Sequence, residues 1–364
     1  MKKFLVLLLM FLGLFVLAGC KKDTYTIALI TDKGDIDDQS FNQGAWEGVK
    51  RYVADANKDL PKAEKITYEY YRPTEATDEA YIAAIDLAVA SGAKIIITPG
   101  YLFESPVNVS QTKYPEVKFV ILDGNPENVV DADKNPIGTL EDNTYSIFYA
   151  EEQAGYLAGY AAVKDGYRKL GFMGGMAVPA VVKFGHGFVI GADTAAAELN
   201  VQIEIKYHYT GDFKATPDVQ ATAATMYSGG TEVIFACGGA VGQSVMAAAG
   251  TTYKVIGVDV DQSGQSNSVI TSATKELGNS VYQALEKFFN DEWDTIGGES
   301  VILDASEDGV GLPMDTSKFE NFTQADYDIV YGKLADGTIT IDHKAETIDI
   351  TQVTVTKTTV IEIE

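Results

Sequence analysis

The sequence predicts an α/β protein whose strands form parallel sheets. Short apolar runs rich in Val and Ile alternate with segments in which apolar residues recur at helical spacing. Continuous apolar strands between helices are typical of a parallel sheet that helices cover on both faces. The alternation starts again near residue 150, which indicates either one large sheet or two similar lobes.

The first run of this alternation occupies residues 25–122. Its third strand ends at a Pro-Gly pair and its fourth at an Asp-Gly pair, and both pairs are turn signals. The predicted strands are 25–31, 66–71, 94–98 and 118–122, and the predicted helices are 40–56 and 78–90.

The second run begins with a helix over 151–163, in which Ala154, Leu157, Ala158 and Ala161 share one face. The other elements predicted in this run are the strands 170–173, 201–208, 232–236 and 254–258 and the helices 179–199 and 217–227.

The last hundred residues have a different pattern. They predict a helix over 279–290 and strands over 301–304 and 337–342. The tail, 348–364, alternates Thr with Val and Ile, and this pattern fits both an edge strand and a poorly ordered end.

The first twenty residues are typical of an export signal. Two lysines precede an apolar run over 4–17 that is too short for a stable membrane span. The run leads into L-A-G-C, which resembles the bacterial lipobox, whose cysteine is lipidated. We therefore expect residues 1–19 to be a lipoprotein signal peptide and Cys20 to anchor the protein at the extracytoplasmic face of the cell membrane. The other cysteine, Cys237, then has no disulfide partner.

The charge balance argues against nucleic acid as a partner. The formal net charge is −24 and the sequence pI is about 4.4, whereas nucleic-acid binding needs a basic surface. Only three arginines occur, and their scarcity disfavours a carboxylate or phosphate ligand.

Motifs for catalysis and for metal or cofactor binding are weak. An EF-hand loop that starts at Asp35 has Ser40 in place of the turn glycine and Trp46 in place of the bidentate glutamate. The three histidines form no H-E-x-x-H motif, and neither a G-x-S-x-G elbow nor a P-loop occurs. We therefore expect no enzymatic activity, no metal and no cofactor.

Two glycine-rich segments leave a dinucleotide site as the weaker alternative. Residues 185–191 read G-x-G-x-x-x-G but lie within a helical pattern, where close helix packing explains the glycines better. Residues 238–242 follow a strand, and Asp259 comes about twenty residues later, as a ribose-binding acid would. Their glycine order is broken at Ala240 and Gln243.

Polar residues follow several predicted strands. Asp32, Asp123 and Asp259 each come directly after one. Ligands of open α/β sheets bind outside the carboxyl ends of the strands. Aspartate also suits turns and helix caps, and we expect Asp37 and Asp38 to cap the helix that begins near residue 40. Three acids at equivalent positions favour a cleft for a polar ligand.

Several blocks of the chain resemble the basic membrane protein (BMP) family of PnrA-like lipoproteins. They are DKGDIDDQSFNQGAWEG (32–48), FYAEEQAGYLAGYAA (148–162), GFMGGMAVPAVVKFGHGFVIGA (171–192), ACGGAVGQSV (236–245), VIGVDVDQ (255–262) and VITSATKELGNSVY (269–282). The resemblance implies a type I periplasmic-binding-protein fold, with two doubly wound parallel-sheet lobes joined by a three-stranded hinge. It also implies a monomeric receptor that holds a nucleoside, with purines expected, and delivers it to an ABC permease and its ATPase.

The resemblance implies lobe boundaries as well. The expected N-terminal lobe comprises residues 20–143 and 262–293. The expected C-terminal lobe comprises residues 144–261 and 294–345, and the tail begins at residue 346.

The resemblance further implies which residues bind the ligand. The phenylalanines of two matching motifs, Phe41 and Phe184, would stack on the two faces of the base. Asp32 and Asn42 would meet the base edge or the sugar. The eight residues that carry over are Asp32, Phe41, Asn42, Asp123, Phe184, Gly239, Asp259 and Lys275.

Asp259 and Lys275 would hold ribose hydroxyls, and as a charge-balanced pair they would suit a neutral diol. The chain departs from the family pattern at Lys33 and Asp35, where small residues are more common, so the preferred base stays open. A sugar or autoinducer-type receptor on the same fold is the alternative function.

Overall fold

The computed structural model describes residues 26–343 and 349–363, which form two mainly parallel sheets with helices between their strands. The predicted signal peptide, residues 1–19, and Cys20 lie outside the described residues. Within the described ranges, no helix is both long and apolar enough to span a bilayer.

The first sheet has six strands, and all of its neighbouring pairs are parallel. Its strands are β1 (Ile27–Ile30), β2 (Tyr68–Tyr71), β3 (Ile95–Pro99), β4 (Lys118–Leu122), β5 (Thr144–Tyr149) and β11 (Ser300–Leu303). They are arranged in the order β11-β5-β4-β3-β1-β2. The central strands are buried on both faces, which is why their sequences are continuously apolar.

The second sheet has seven strands in the order β12-β10-β9-β8-β6-β7-β13. Its strands are β6 (Lys169–Gly174), β7 (Ile203–Tyr209), β8 (Val233–Cys237), β9 (Lys254–Asp259), β10 (Val269–Lys275), β12 (Val310–Gly311) and β13 (Thr358–Glu362). Only the short β12 is antiparallel to its neighbour. The existence of two sheets decides the alternative between one large sheet and two lobes.

Nine α-helices lie within the described residues. They are α1 (Phe41–Ala56), α2 (Asp78–Ala90), α3 (Glu104–Lys113), α4 (Glu151–Asp165), α5 (Pro179–Leu199), α6 (Pro217–Ser228), α7 (Val241–Ala249), α8 (Leu277–Phe289) and α9 (Gln324–Ala335). The sequence pattern predicted six of these, to within two residues at each end, and α8 is one of the six. It missed α7 and α9, and also α3, whose composition is polar.

The chain passes between the two sheets three times, after β5, after β10 and after β11. Strand pairing therefore differs from the expected lobe boundaries, because β5 and β11 lie in the first sheet and β10 lies in the second. The expected boundaries placed each change of lobe before a strand. In the structure each strand completes its own sheet first, and the chain crosses from the carboxyl end of that strand.

The strand predicted over 337–342 is wrong. This segment turns back on the end of α9, where Gly337 adopts a φ of 74° and the Ile339 amide donates to the Lys333 carbonyl. Ile339 and Ile341 pack against the core, which accounts for the alternating apolar pattern without strand pairing. In the tail, the edge-strand alternative holds for Thr358–Glu362, which pairs in parallel with β7.

Glycines allow α4 and α5 to pack with their backbones in close contact. A Cβ atom on Gly155 would lie 2.1 Å from the Phe184 carbonyl oxygen, and one on Gly187 would lie 1.9 Å from the Glu152 carbonyl oxygen. The glycines of residues 185–191 therefore serve helix packing, as the sequence analysis expected. This contact sets the position of Phe184 relative to the first turn of α4.

Candidate ligand-binding cleft

A cavity of about 530 Å³ lies at the carboxyl ends of strands from both sheets. Its volume is within the range of roughly 300–1,000 Å³ that is typical of small-molecule sites. The structure brings all eight predicted site residues to its lining: Asp32, Phe41, Asn42, Asp123, Phe184, Gly239, Asp259 and Lys275. Their proximity is a structural observation, whereas their roles in binding stay predictions.

Neutral donors hold the carboxylate of Asp32 at the end of β1. Its Oδ1 atom accepts from the Gly34 amide at 3.0 Å and from the Asn42 side chain at 2.9 Å. The same Asn42 amide also donates to Asp38 at 3.0 Å, so its NH₂ group is fully used within the protein. Asn42 therefore orients Asp32, and the free acceptor toward the cavity is Asp32 Oδ2. Burial raises the pKa of Asp32.

Asp38 caps helix α1. Its carboxylate accepts from the backbone amides of Ser40, Asn42 and Gln43 at 2.9–3.1 Å. These amides belong to the first turn, which has few intrahelical acceptors. The prediction of a cap is confirmed for Asp38. Asp37, by contrast, is exposed at the rim of the cavity.

Two of the acids lie on left-handed backbone. Asp123 follows β4 with a φ of 55°, and Asp259 ends β9 with a φ of 66°. Non-glycine residues rarely adopt this conformation, and where they do it is often at functional sites. Gly100 and Gly239 also have positive φ, at 115° and 54°. A Cβ atom on Gly100 would lie 2.8 Å from Asp32 Oδ2, so only glycine leaves that oxygen accessible.

Lys275, at the end of β10, lies between two carboxylates and two aromatic rings. Its Nζ atom is 2.5 Å from Asp123 Oδ2 and 2.8 Å from Glu151 Oε1. The same atom is 5.0 Å from the ring centre of Phe41 and 5.4 Å from that of Phe184, within cation–π range. Asp123 Oδ1 is buried and has no hydrogen-bond partner among the residues that the structure describes.

Asp123, Glu151 and Lys275 differ in how readily they gain or lose a proton. Burial raises the pKa of Asp123 by more than Lys275 lowers it, and Glu151 adds to the rise. Burial acts to raise the pKa of Glu151 as well, but Lys275 and Lys183 together hold it below its ordinary value. Burial alone would lower the pKa of Lys275, but the surrounding carboxylates raise it well above its usual range. Glu151 and Lys275 are therefore the permanently charged pair.

Asp259 has a different partner from the one expected. Its Oδ2 atom accepts from the Ser40 hydroxyl at 2.5 Å, which links α1 to the second sheet. Lys275 forms its ion pairs with Asp123 and Glu151, so the expected Asp259–Lys275 pair is replaced by a larger group. Burial raises the pKa of Asp259 to about 6, although Lys275 and Ser40 oppose the shift.

The two phenylalanines differ in burial. Phe41 is half-buried at the first position of α1, whereas Phe184 is 2% exposed and packs edge-on against Phe235. Phe184 is thus a core residue whose ring also reaches the cavity. Phe41 belongs to the first lobe and Phe184 to the second.

The two departures from the family pattern lie at the rim. Lys33 is exposed and its Nζ atom is 3.3 Å from Met176 Sδ, on the second lobe. Asp35 forms an ion pair with Arg72. Neither residue is fully buried, unlike Asp259 in the interior of the cavity.

Sequence reasoning missed Glu151 and Ser40, as well as Tyr101 and Phe213 in the lining. Glu151 comes two residues after the end of β5, so the rule that led to the three aspartates would have found it. The strand itself was not predicted, because its sequence, TYSIFY, is interrupted by polar residues. Among the described residues, no group of His, Cys, Asp and Glu is arranged to hold a metal.

Two mainly parallel sheets with a cavity at the carboxyl ends of their strands are the architecture of the type I periplasmic-binding-protein fold. The crystal structure of a solute-binding protein of an ABC transporter system from Aeropyrum pernix K1 has a TM-score of 0.66 at 20% identity, over 88% of each chain. A second, from Conexibacter woesei DSM 14684, has a TM-score of 0.65 at 22% identity, over 88% of this chain and 99% of that one. At these identities the likeness concerns the fold alone.

The sequence identifies the family. The model of the Bmp family, PnrA-like substrate-binding proteins of ABC transporters, matches residues 25–343, and the chain belongs to this family. The ABC transporter nucleoside-binding protein BmpA of Lactococcus lactis is 30% identical over 353 residues, 88% of this chain and 94% of the relative. Basic membrane protein B of Borreliella burgdorferi is 30% identical over 301 residues, 81% and 82% of the two chains. The protein is therefore a substrate-binding component of an ABC transporter and not an enzyme, as the sequence predicted.

Proposed function

We propose that this protein captures a nucleoside, preferably a purine nucleoside, and delivers it to its permease. The observation that carries the proposal is the pair of rings, Phe41 and Phe184, that flank the ammonium group of Lys275 from different lobes. A base stacked on such rings gains about 1–3 kcal/mol per ring. The name of the Lactococcus lactis relative supports the same ligand class.

The polar groups of the cavity suit the hydroxyls of a sugar. Asp123 Oδ1 is buried and has no hydrogen-bond partner among the described residues, and Asp259 accepts from Ser40 through Oδ2, which leaves other lone pairs of its carboxylate for a ligand. Both carboxylates therefore have acceptor capacity for hydroxyl donors. Asp32 Oδ2 offers a third acceptor, for an N–H group of the base. The site thus accepts hydrogen bonds in three places and stacks a ring between two others.

The proposed ligand is neutral. Asp32, Asp123, Asp259 and Glu151 outnumber the buried cations near them, which are Lys275 and Lys183. A 5′-phosphate would add negative charge to this group. Calorimetric titration of refolded protein with guanosine, adenosine, uridine and their monophosphates tests this point. Nucleosides are expected to bind more tightly, and tighter binding of the monophosphates would refute the proposal.

A sugar receptor is distinguished from a nucleoside receptor by Phe41. Replacing it with Ala removes one stacking surface from a half-buried position, so the fold should tolerate the change. Nucleoside affinity that is unchanged in this variant would favour the sugar alternative. Phe184 is a poorer probe, since its replacement would also disturb the core.

We further propose that Cys20 carries a lipid anchor and that the protein is a monomer whose lobes close on the ligand about the three crossings. Mass spectrometry of the mature N-terminal peptide tests the anchor. An unmodified Cys20 in protein from the native membrane would refute it. Small-angle scattering of the refolded protein tests both other points, and the radius should decrease on addition of ligand.

A further inference from the structure

A row of alternating charges runs from the cavity into the second lobe. It begins with Asp123 and continues through Lys275 to Glu151, at 2.5 and 2.8 Å. Lys183 follows, with its Nζ atom 3.8 Å from the other oxygen of Glu151. Asp123, just after β4, is 12% exposed, and the side chains from β10, α4 and α5 are 1–6% exposed.

Glu151 is the member of this row that the ligand-binding function does not yet explain. It is 2% exposed and does not line the cavity, so it cannot contact a ligand there directly. It is the first residue of α4, where the positive end of the helix stabilises a carboxylate. With Lys275 and Lys183 on its two oxygens, its position is determined from both sides.

We propose that Glu151 is a positioning residue for ligand binding: it holds the Lys275 ammonium between the rings of Phe41 and Phe184 and balances part of its charge. This inference rests on the proposed function, because it assigns Glu151 a part in the same site. Without Glu151, Lys275 would have a single carboxylate partner, Asp123. That carboxylate would then be drawn toward the lysine and away from hydroxyl donors of the ligand.

Geometry also places Glu151 where it affects the acids of the cavity. The charged groups that face Asp123 are Lys275, Glu151 and Asp259. Those that face Asp259 are Lys275, Asp38 and Glu151, and Ser40 donates a hydrogen bond to it. In both cases the charge of Glu151 raises the pKa of the aspartate. Removing that charge therefore favours the ionised aspartates at lower pH.

The neighbouring residue supplies a matched control. Glu152 is 3% exposed and also lies in the first turn of α4, but its partner is His343, at 3.1 Å from Oε1, rather than Lys275. Glu151→Gln and Glu152→Gln remove the same charge from adjacent buried positions. Only the first removes it from Lys275.

The experiment is calorimetry from pH 5 to 8 on refolded wild type and both variants, with the tightest-binding of guanosine, adenosine and uridine. E151Q is expected to bind about tenfold or more weakly at pH 7.5. The pH at which its affinity falls by half should lie below that of wild type, because one negative charge that raises the pKa of both aspartates is gone. E152Q is expected to stay within about twofold of wild type, with an unchanged pH midpoint.

Each result decides the matter. If wild type binds a nucleoside, and E151Q has the same affinity and pH midpoint as E152Q, this inference alone is overturned. Wild type that binds none of the nucleosides would overturn the proposed function and the inference together. Should E151Q fail to fold, Glu151→Asp keeps the charge and shortens the reach. A tenfold loss of affinity in E151D supports the positioning role, and wild-type affinity overturns it.

Discussion

The two walls of the cleft stabilise their buried carboxylates in different ways. In the first wall, at the end of β1 and the start of α1, Asp32 and Asp38 are held by amides from within ten residues. In the second, Asp123 depends on Lys275, which is 152 residues away, and on Glu151 behind it. The first wall is a local structure, whereas the second exists only when both lobes are assembled.

The largest effect is expected from removing the cation of the second wall. Lys275→Met leaves Asp123 and Glu151 buried without their common partner, and breaking such a group costs about 3–5 kcal/mol. The free energy of unfolding, measured in urea at pH 7.5, should fall by that amount, and nucleoside binding should be lost. A fall of less than about 1 kcal/mol would mean that water reaches these carboxylates.

Asp259→Asn should have the opposite sign. The folded-state pKa of Asp259 is raised to about 6, above its ordinary value, so the folded protein retains this proton more strongly than the unfolded chain. Stability contributed by the proton is present at low pH and is lost as pH rises through about 6. The ligand-free variant should therefore be more stable than wild type by up to about 3 kcal/mol at pH 7.5.

The difference between D259N and wild type should vanish near pH 4, where the wild-type side chain is neutral as well. Urea unfolding at pH 4 and pH 7.5 measures it. The nucleoside affinity of wild type should fall as the pH drops through about 6, and that of the variant should be weaker and flatter. A variant that is less stable at both pH values would contradict the assigned cost of burying this charge.

Phe41→Ala tests the part of the first wall that faces the ligand. Loss of one stacked ring should weaken nucleoside binding by about 1–3 kcal/mol, while the unfolding midpoint changes little because the ring is half-buried. Calorimetry and thermal unfolding of the same preparation measure both quantities. A large loss of stability with unchanged affinity would assign Phe41 to the core instead.

The smallest effect is expected at the cap of the first wall. Asp38→Ala removes acceptors for three backbone amides of α1 and should destabilise the protein by about 1–2 kcal/mol. Because the charge of Asp38 adds to the rise in the pKa of Asp259, the change should also lower the pH midpoint of ligand binding, as E151Q does. An unaltered midpoint would contradict this electrostatic coupling between the two walls.

The contrast between the walls also accounts for what the sequence could predict. Asp32 and Asp38 lie beside a strong strand and a strong helix, so local pattern placed them correctly. The partners of Asp123 and Asp259 could not be read in this way. Lys275 is the last residue of β10, which was not predicted, and Glu151 follows β5, which was not predicted because polar residues interrupt its apolar pattern.

Resemblance compensated in part for this limit. It placed Lys275 and Phe184 in the cleft, although neither position follows from periodicity, and Phe184 on pattern alone is a core residue. It paired Lys275 with the wrong acid, because a motif carries residue types and not distances. It also placed the lobe boundaries before the crossing strands, since strand pairing across the hinge leaves no local signal.

The central claim is that this cleft holds a neutral nucleoside between the rings of Phe41 and Phe184. Native mass spectrometry of freshly purified protein tests it most directly. We expect a non-covalent adduct with the mass of a nucleoside, which disappears after refolding and is less abundant in Phe41→Ala. An adduct with the mass of a sugar, a nucleotide or a dinucleotide, or a nucleoside adduct of equal abundance in the variant, would contradict the claim.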